Sequence, residues 1–332
     1  MKILLTGGAG YIGSHAAVVL SGVGHEVFIL DNFCNSNRSV LERLSLILGN
    51  SLNCIVGNVL DTSLISSILE NHDIDAVIHL AGLKAVSESM LNPIEYYANN
   101  VQGTISLLKA MQVKKVRKLV FSSSATVYGN PQYLPIDENH PIKPTNAYGR
   151  TKSHVEEMLM DIVASDSSWR IISLRYFNPV GAHPSGLIGE DPKGVPNNLV
   201  PYIARVASGK LPFLKVHGNN YDTPDGTGVR DYIHVMDLSE GHLAALNFLN
   251  KNEGFHTVNL GTGRGVSVLE MLHAFEHAIK KKVPFQLDSR RPGDVASCYA
   301  KSSKALQILN WKTARTIDDM CYSAWKFEKN SK

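Results

Sequence analysis

The feature that most constrains this chain is the glycine-rich segment TGGAGYIGSH at 6–15. It follows an apolar, strand-like run at 2–6 and leads into a stretch with helical patterning at 11–22. Its glycines match two overlapping spacings, GxGxxG at 8–13 and GxxGxxG at 7–13. Glycines here allow a tight turn and let a pyrophosphate reach the backbone and the N–H groups of the following helix. The segment therefore predicts a dinucleotide-binding strand–turn–helix unit.

Short apolar runs alternate with helical segments through the first half of the chain. This alternation is typical of a parallel sheet with helices on both faces. We therefore predict an α/β protein with a Rossmann-type, doubly wound parallel sheet. The strand-like runs are 2–6, 26–30, 53–56, 75–80, 117–123 and 170–176, and the helical segments are 11–22, 62–71, 93–112 and 147–164.

The composition of the chain changes after Asn178, where loops rich in Gly, Pro, Asn and Asp begin. We expect an NAD-binding domain at 1–177, which also receives segments near 228–262, and a smaller α/β substrate-binding domain at 178–332. Later helical patterns lie at 237–250, 266–280 and 303–309, and strand-like runs at 213–217 and 256–260.

Composition excludes several classes of function. Of the 332 residues, 44% are hydrophobic and 19% charged, as in a globular protein. The net charge is +3, and the densest basic run, 114–118, contains no aromatic residue, so nucleic acid is not an expected partner. No run approaches a membrane span, and no secretory signal precedes the strand-like run, so we expect a cytoplasmic protein. The four cysteines lack metal-binding spacing, which predicts reduced thiols and no metal site.

An acidic residue, Asp31, closes the second strand-like run. A carboxylate at this point accepts hydrogen bonds from the adenosine ribose hydroxyls and repels a 2′-phosphate, which favours NAD over NADP. The alternative is an ordinary turn aspartate. Asn32, Asn35 and Ser36 would add polar contacts to the same adenosine.

The predicted reaction centre combines Ser124, after the fifth strand-like run, with Tyr148 and Lys152 on a later helix. Tyr148 and Lys152 are four residues apart and share one helical face. A free tyrosine has a pKa near 10, so only about one in a thousand is ionised at pH 7. A neighbouring ammonium lowers that pKa by roughly 1–3 units, which makes a phenolate base available. The alternative is a surface Tyr–Lys pair with no catalytic role.

With these motifs in place, the chain resembles the extended short-chain dehydrogenase/reductase family, and within it the UDP-glucose 4-epimerases. The resemblance covers essentially the whole length, through segments such as AGLKAVSES, FSSSATVYG, LRYFNPVGAHPSG and GTGVRDYIHVMDL. Dehydratases of this family place an Asp-Glu pair where this chain has Ala125-Thr126, which argues against dehydration.

The resemblance implies an NAD-dependent isomerase of galactose metabolism that interconverts UDP-glucose and UDP-galactose. Tyr148 would take the proton of the sugar 4-hydroxyl while C4 gives hydride to NAD⁺. The 4-keto sugar would then rotate and be reduced from its other face. Ser124 would hold the reacting oxygen and Lys152 the nicotinamide ribose. A homodimer formed through two helices beside the sheet is also implied.

The resemblance also assigns binding residues. Lys84, alone no more than a loop lysine, matches a pyrophosphate- or nicotinamide-side position, and Asn58 replaces a common aspartate, which predicts altered NAD affinity. Arg230 and Arg291 would hold the phosphates and Asp294 the uridine ribose; the alternative is that they form surface ion pairs with Asp231 or Asp294. The cofactor set is Gly7, Gly10, Tyr11, Ile12, Gly13, Asp31, Asn32, Asn35, Ser36, Asn58, Val59, Leu80, Ala81, Lys84, Asn99, Ser122, Tyr148, Lys152 and Tyr176. The substrate set is Ser124, Tyr148, Asn178, Asn198, Leu199, Lys215, Val216, His217, Arg230, Tyr232, Arg291, Asp294 and Cys298.

The segment RRPGDVASCYA at 290–300 bears on substrate breadth. Pro292-Gly293 is expected to bend this loop so that Arg291 and Asp294 face the ligand. Cys298 aligns with a position where the family carries either a bulky tyrosine or a small residue beside the sugar's C2 substituent. A cysteine leaves room for an N-acetyl group, so we expect UDP-N-acetylhexosamines to be accepted as well. The alternatives are a small core cysteine, or a one-residue slip that puts Tyr299 there.

Two other functions remain open at this stage. The chain could be another UDP-sugar-modifying enzyme, such as a decarboxylase, a dehydrogenase with net redox, or an epimerase specific for UDP-hexosamines or UDP-pentoses. It could also be a non-catalytic NAD-binding sensor, although the Ser124, Tyr148 and Lys152 set speaks against that.

Overall fold

The computed structural model describes residues 1–192, 194–291 and 293–331. The strands are β1 Lys2–Thr6, β2 Glu26–Asp31, β3 Asn53–Val56, β4 Ala76–His79, β5 Lys118–Ser124, β6 Arg170–Tyr176, β7 Asn178–Val180, β8 Leu214–His217, β9 Val229–Arg230, β10 Tyr232–His234, β11 Gly254–Leu260, β12 Val266–Ser267, β13 Phe285–Asp288 and β14 Ser297–Cys298. The helices are α1 Tyr11–Gly22, α2 Ser39–Leu48, α3 Thr62–Asn71, α4 Val86–Leu91, α5 Pro93–Tyr96, α6 Gly103–Val113, α7 Ala147–Ser165, α8 Leu199–Ala207, α9 Val235–Leu249, α10 Val268–Ile279, α11 Ser303–Leu309 and α12 Ile317–Asn330.

A parallel sheet organises the N-terminal part, with the strand order β3-β2-β1-β4-β5-β6-β11. Its central strands are apolar and buried on both faces, and two separate hydrophobic clusters pack against the two faces. The order reverses between β1 and β4, so the connections that follow these two strands leave in opposite directions, and ligands of such sheets bind at this point. The predicted doubly wound parallel sheet is confirmed, with β11 as a further edge strand beside β6.

The predicted strands of the first half and three of its four named helical segments agree closely with the structure, which adds α2 and α4 to them. The helix expected at 93–112 is instead α5, a π-helical segment Tyr97–Gln102, and α6. Periodicity did not reveal the π-helical turn because its cause is tertiary. Within that turn, the side chain of Asn100 bonds both backbone groups of Leu83 and the hydroxyl of Thr151.

The C-terminal part forms small sheets rather than one large sheet. They are the pairs β7–β10 and β8–β13 and the three-stranded set β12-β9-β14. A third hydrophobic cluster joins α8, α10 and α12. Between these elements, α9 packs against α1 and β11 pairs with β6, so residues 235–260 return to the first sheet. Among the described residues, no helix has the length and apolar character needed to cross a membrane.

Candidate active site

The glycine-rich turn joins β1 to α1 at the point where the strand order reverses. Gly7 has a φ of +71°, and a Cβ on Gly7 would lie 2.7 Å from the backbone nitrogen of Ala81. A Cβ on Gly13 would lie 2.4 Å from the carbonyl oxygen of Gly7. Only glycine fits at both positions. Because no side chain caps α1 at Gly10, the first N–H groups of the helix are available to an anionic ligand, as the NAD prediction requires.

Asp31 lies at the carboxyl end of β2 and is 8% exposed. One carboxylate oxygen accepts a hydrogen bond from the backbone N–H of Ala9 at 3.0 Å. The other accepts from the backbone N–H of Phe33 at 2.8 Å and from the hydroxyl of Ser36 at 3.1 Å. Asp31 therefore does stabilise the local turn, which the sequence left open as an alternative to binding the cofactor. A carboxylate has about four acceptor sites, so Asp31 retains capacity for a ribose hydroxyl.

Asn58 has a local partner that the sequence did not suggest. Its side-chain carbonyl accepts the backbone N–H of Leu60 at 3.0 Å, as in an Asx turn. The expected adenine contact must therefore use the second lone pair of the same oxygen.

Ser124, Tyr148 and Lys152 are brought together at the carboxyl end of β5. The side chain of Asn146 accepts the N–H of Gly149 at 2.8 Å and so starts α7 at Ala147, which places Tyr148 in the first turn. The ammonium of Lys152 lies one turn later, donates to the carbonyl of Ser122 at 2.6 Å, and is 5.9 Å from the ring centre of Tyr148. The three predicted residues therefore share one site.

Burial, hydrogen bonding and charge together set the pKa of Tyr148. Burial raises the pKa of Tyr148, while the hydrogen bond with Ser124 and the charge of Lys84 lower it. Lys152 is not among the groups that move it. Burial lowers the pKa of Lys152 itself to about 8, against the opposing charge of Glu156. The groups that lower the pKa of Tyr148 here are Ser124 and Lys84, while the ammonium of Lys152 donates to the Ser122 carbonyl. That Lys152 also lowers this pKa stays a prediction.

Tyr176 is buried at the end of β6 and lies beside the site. Its hydroxyl bonds Nε2 of His242 on α9. The Nδ1 of His242 donates to the carbonyl of Leu238, so Nε2 is the acceptor and Tyr176 the donor. The Tyr176 hydroxyl is therefore already occupied as a hydrogen-bond donor within the protein.

A polar chain beneath the site escaped the sequence analysis. Thr104 donates its hydroxyl to the carbonyl of Asn100, so it accepts from Nε2 of His79 at 2.9 Å. The Nδ1 of His79 then accepts the hydroxyl of Thr6 at 2.6 Å. This chain ties the glycine-rich turn to the π-helical segment. Single buried polar residues in apolar runs carry no sequence signal for such a network.

On the substrate side, the predicted arginines converge on Asp294. Arg230 approaches Asp294 at 3.8 Å and donates to the carbonyl of Val295 at 2.8 Å, and Arg291 donates to Asp294 at 3.0 Å. The ion pairs with Asp294, which the sequence left open as an alternative, are thus observed. They hold both guanidinium groups beside Asp294. Pairing with Asp231 does not occur, because that buried carboxylate accepts backbone N–H groups of Thr262, Gly263 and Ala300. Pro292 lies outside the described residues, so its expected role in the bend stays a prediction.

The side chains of β8 alternate between the two faces of the strand. Lys215 and His217 are on its outer side near Asp288, at 3.6 Å and 4.0 Å. Val216 is fully buried in the third hydrophobic cluster. Because neighbouring side chains on a strand point to opposite faces, Val216 can offer a ligand only its backbone. The predicted place of Val216 along the uracil site therefore stays a prediction, and it would use the backbone of this residue.

Two asparagines from the predicted substrate set belong to separate elements. Asn178 begins β7, and its amide donates to the carbonyl of Asp231 at 3.0 Å. Asn198 precedes Leu199, the first residue of α8, and its amide donates to Glu190 at 2.6 Å. Glu190 was not among the predicted site residues.

The register of β14 decides between Cys298 and Tyr299. Cys298 packs against the cluster of Ala125, Tyr128 and Phe177, on the Ser124 side. The ring of Tyr299 lies on the other face, where a Cβ on Gly265 would be 3.1 Å from it. Cys298, and not its neighbour, therefore packs in the cluster that contains Ala125, the residue after Ser124. Burial raises the pKa of its thiol to about 11, so it is a neutral, small side chain at pH 7.

The remaining predicted residues lie around the same cleft. Tyr232 on β10 is buried beside the two arginines, which lower its raised pKa. Lys84 follows β4, and its ammonium is 6.0 Å from the ring centre of Tyr11. Asn99 donates its amide to Asn100 at 2.9 Å. Among the described residues, no group of His, Cys, Asp and Glu could hold a metal ion. Also at the carboxyl ends of the parallel strands lie Ile12, Asn32, Asn35, Val59, Leu80 and Ala81.

Comparison with known proteins gives a consistent result. A protein-family model described as GDP-mannose 4,6 dehydratase matches residues 4–324. UDP-glucose 4-epimerases from Dictyostelium discoideum and Bacillus subtilis are 53% and 51% identical over 98% and 100% of this chain, and 95% and 98% of theirs. The chain belongs to the UDP-glucose 4-epimerase family.

Solved structures of the epimerase family superpose closely on this chain. A UDP-glucose 4-epimerase from Stenotrophomonas maltophila with bound NAD and formylated UDP-arabinopyranose has a TM-score of 0.98 and 49% identity, covering 99% of this chain and 98% of that one. The Bifidobacterium longum epimerase with NAD⁺ and UDP has a TM-score of 0.97 and 50% identity, covering 100% and 99%. A UDP-Glc/GlcNAc 4-epimerase from Campylobacter jejuni has a TM-score of 0.85 and 35% identity, covering 99% of each chain.

Proposed function

We propose that this protein is an NAD-dependent isomerase that interconverts UDP-glucose and UDP-galactose by inverting C4 of the sugar. The observation that carries the proposal is the meeting of Ser124, Tyr148 and Lys152 beside the glycine-rich turn. A non-catalytic NAD sensor has no need for a base, a hydroxyl donor and a buried ammonium at one point. Membership of an epimerase family supports the same reaction.

The cofactor would be held by the turn and by the carboxyl ends of the strands. The uncapped N-terminus of α1 suits the pyrophosphate and Asp31 the adenosine ribose. Lys152 would hold the nicotinamide ribose, because its ammonium is fixed at that end of β5 by the Ser122 carbonyl. When bound, NAD⁺ supplies a reversible hydride acceptor for C4 of the sugar.

Tyr148 is the proposed acid and base. Its hydroxyl takes the proton of the 4-hydroxyl during oxidation and returns it during reduction. Ser124 orients the reacting oxygen, since it already bonds Tyr148. Lys84 is the cation whose charge lowers the pKa of Tyr148 and thereby favours the phenolate.

The substrate would be anchored by its UDP group while the sugar turns. Arg230 and Arg291 offer guanidinium donors suited to a diphosphate, and Asp294 beside them suits the uridine ribose. Asn178 and Asn198 with Leu199 would line the diphosphate and sugar side, and Lys215 and His217 the uracil side. This leaves a firm anchor at one end and a pocket at the sugar end.

We also propose that the sugar pocket admits UDP-N-acetylhexosamines. Cys298 lies on the Ser124 side of β14 and carries a small neutral side chain there. A relative with 35% identity is named as a UDP-Glc/GlcNAc 4-epimerase, which supports this breadth.

Organisation and assembly complete the proposal. Residues 1–177, with 228–262 returning to the first sheet, would form the cofactor domain, and the remainder of 178–332 the substrate domain. A homodimer is proposed on the surface of α4, α5 and α7, which pack together and expose Leu91 at 81% and Ile94 at 84%. A cytoplasmic location is also a proposal.

The test follows UDP-galactose with the purified holoenzyme. We expect UDP-glucose to form with no stoichiometric change in NADH absorbance. A stoichiometric NADH signal would instead identify a dehydrogenase or an oxidative decarboxylase. Tyr148→Phe should reduce turnover by about 10²–10⁴-fold and leave bound NAD in place. An unchanged rate in that variant would overturn the assigned role of Tyr148.

A further inference from the structure

Glu190 is a buried acidic residue that the mechanism above does not use. Its side chain is 7% exposed, and one carboxylate oxygen accepts from the ammonium of Lys84 at 3.0 Å and from the amide of Asn198 at 2.6 Å. Its other oxygen has no hydrogen-bond partner within the described parts of the chain. A buried carboxylate is unfavourable unless it is paired, so Glu190 depends on these two donors.

The two donors come from opposite sides of the cleft. Lys84 follows β4 and is one of the residues proposed to contact NAD. Asn198 precedes α8 and is one of those proposed to contact the UDP-sugar. One carboxylate oxygen thus holds a cofactor-side group and a substrate-side group at the same time.

The backbone around Glu190 is fixed independently of either ligand. Ala182 and Gly189 pair as an antiparallel bridge, and the N–H of Ala182 donates to Ser323 on α12 at 3.1 Å. The N–H of His183 donates to the carbonyl of Ile188 at 3.1 Å, which closes the turn before Glu190. Glu190 therefore projects from a braced turn, whereas Asn198 lies in the loop that follows it.

The loop that carries Lys84 is also fixed at its backbone. Asn100 bonds the N–H and carbonyl of Leu83, and the Tyr96 hydroxyl bonds the N–H and carbonyl of Ala85. The side chain of Lys84 is 60% exposed, and its ammonium is held by the ion pair with Glu190. Glu190 is the group that sets where this ammonium lies.

We propose that Glu190 is a positioning residue that couples NAD retention to UDP-sugar binding by holding Lys84 and Asn198 together. The inference rests on the proposed assignment of those two residues to cofactor and substrate. When a UDP ligand orders Asn198, Glu190 is fixed in place, and Lys84 is fixed with it on the cofactor. Linkage requires the reverse effect as well, so bound NAD tightens UDP binding by the same factor.

The test measures exchange of bound NAD in the holoenzyme against a fluorescent, adenine-modified NAD, with and without saturating UDP. In the unmodified protein, UDP should slow the exchange at least about fivefold. In Glu190→Gln, which keeps an acceptor oxygen but removes the charge, UDP should slow it less than about twofold. The KM for UDP-galactose should rise more than kcat falls.

Asp191→Asn is the matched control. It removes the same charge from the adjacent residue, whose partner is Arg205 on α8 rather than Lys84. This variant should retain the full effect of UDP. If Glu190→Gln unfolds at a lower temperature than the control, Asn198→Ala removes the substrate-side donor without burying a new group, and it too should abolish the effect.

A UDP effect that persists in Glu190→Gln or in Asn198→Ala, or that is missing from the unmodified protein, overturns the coupling. Failure of the unmodified protein to invert UDP-galactose would overturn the proposed function instead. The exchange assay does not depend on turnover, so the two failures are distinguishable.

Discussion

Replacing Cys298 with tyrosine tests the substrate breadth of the site most directly. Cys298 lies in β14 opposite Arg230 of β9, and its backbone carbonyl accepts the N–H of Asp231 at 3.0 Å. The strand is therefore fixed, and a larger side chain cannot be relieved by moving the backbone. Its side chain packs against the cluster that contains Ala125 and Phe177, and we expect a larger ring there to extend into the proposed sugar pocket.

The size of the effect follows from the atoms added. A tyrosine adds about six heavy atoms at this point, and an N-acetyl group in place of a hydroxyl adds about three to the substrate. Both would compete for the same space. Overpacking of this kind costs about 1–3 kcal/mol, which corresponds to roughly a 5- to 150-fold loss. UDP-galactose lacks the acetyl group and avoids that clash.

The assay compares kcat/KM for UDP-galactose and UDP-N-acetylgalactosamine in Cys298→Tyr and in Cys298→Ser. We expect the acetylated substrate to lose about 10- to 100-fold in the tyrosine variant, while UDP-galactose stays within about threefold. The serine variant keeps a small side chain and should retain both activities. Equal losses on the two substrates in the tyrosine variant would refute the argument from pocket volume, since they would indicate a general distortion.

Three further outcomes are expected. Gly13→Ala should lose bound NAD, measured by nucleotide release on denaturation, because its Cβ would lie 2.4 Å from a backbone oxygen, whereas Gly22→Ala has nothing within 4 Å and should keep it. NAD affinity of the unliganded protein should fall as pH rises through about 8, where Lys152 loses its charge, and Lys152→Met should bind weakly with no such step. The free energy of unfolding should decrease as pH falls from about 6.5 to 5. Burial lowers the pKa of several histidines in the folded state, so the unfolded chain takes up more protons in this range. Each of these histidines should reduce the free energy of unfolding by about 2 kcal/mol at pH 5. Equal stability at pH 7 and pH 5 in guanidinium unfolding would contradict this reasoning for the four residues concerned, His15, His79, His234 and His242.

Much of the first half could be predicted from local pattern. The strands 2–6, 53–56 and 170–176 and the helices 11–22 and 62–71 have the bounds that the sequence indicated. Strands buried on both faces are apolar throughout, and amphipathic helices repeat every 3.6 residues, so each leaves its own signature. The glycine-rich turn is equally local, since its steric requirement concerns neighbouring backbone.

The small sheets of the second half left weaker signals. Strands as short as β9 and β12, of two residues each, exist because β9 pairs with both β12 and β14, and not because of their own propensity. The same limit applies to the π-helical turn, which depends on the contact of Asn100 with Leu83.

The amino-acid sequence by itself determined the doubly wound sheet, the glycine-rich turn and the joint position of Ser124, Tyr148 and Lys152, because each follows from periodicity or from steric need over a few residues. Only the tertiary structure decided which way side chains face and which distant groups share a proton or a charge. In the folded chain the side chain of Val216 lies in the core, and that of Cys298 rather than Tyr299 packs beside Ala125. The ammonium of Lys152 donates to the Ser122 carbonyl. The tertiary structure also joined Lys84 and Asn198 through Glu190, since residues 106 and 8 positions away in the chain meet only when both loops are folded.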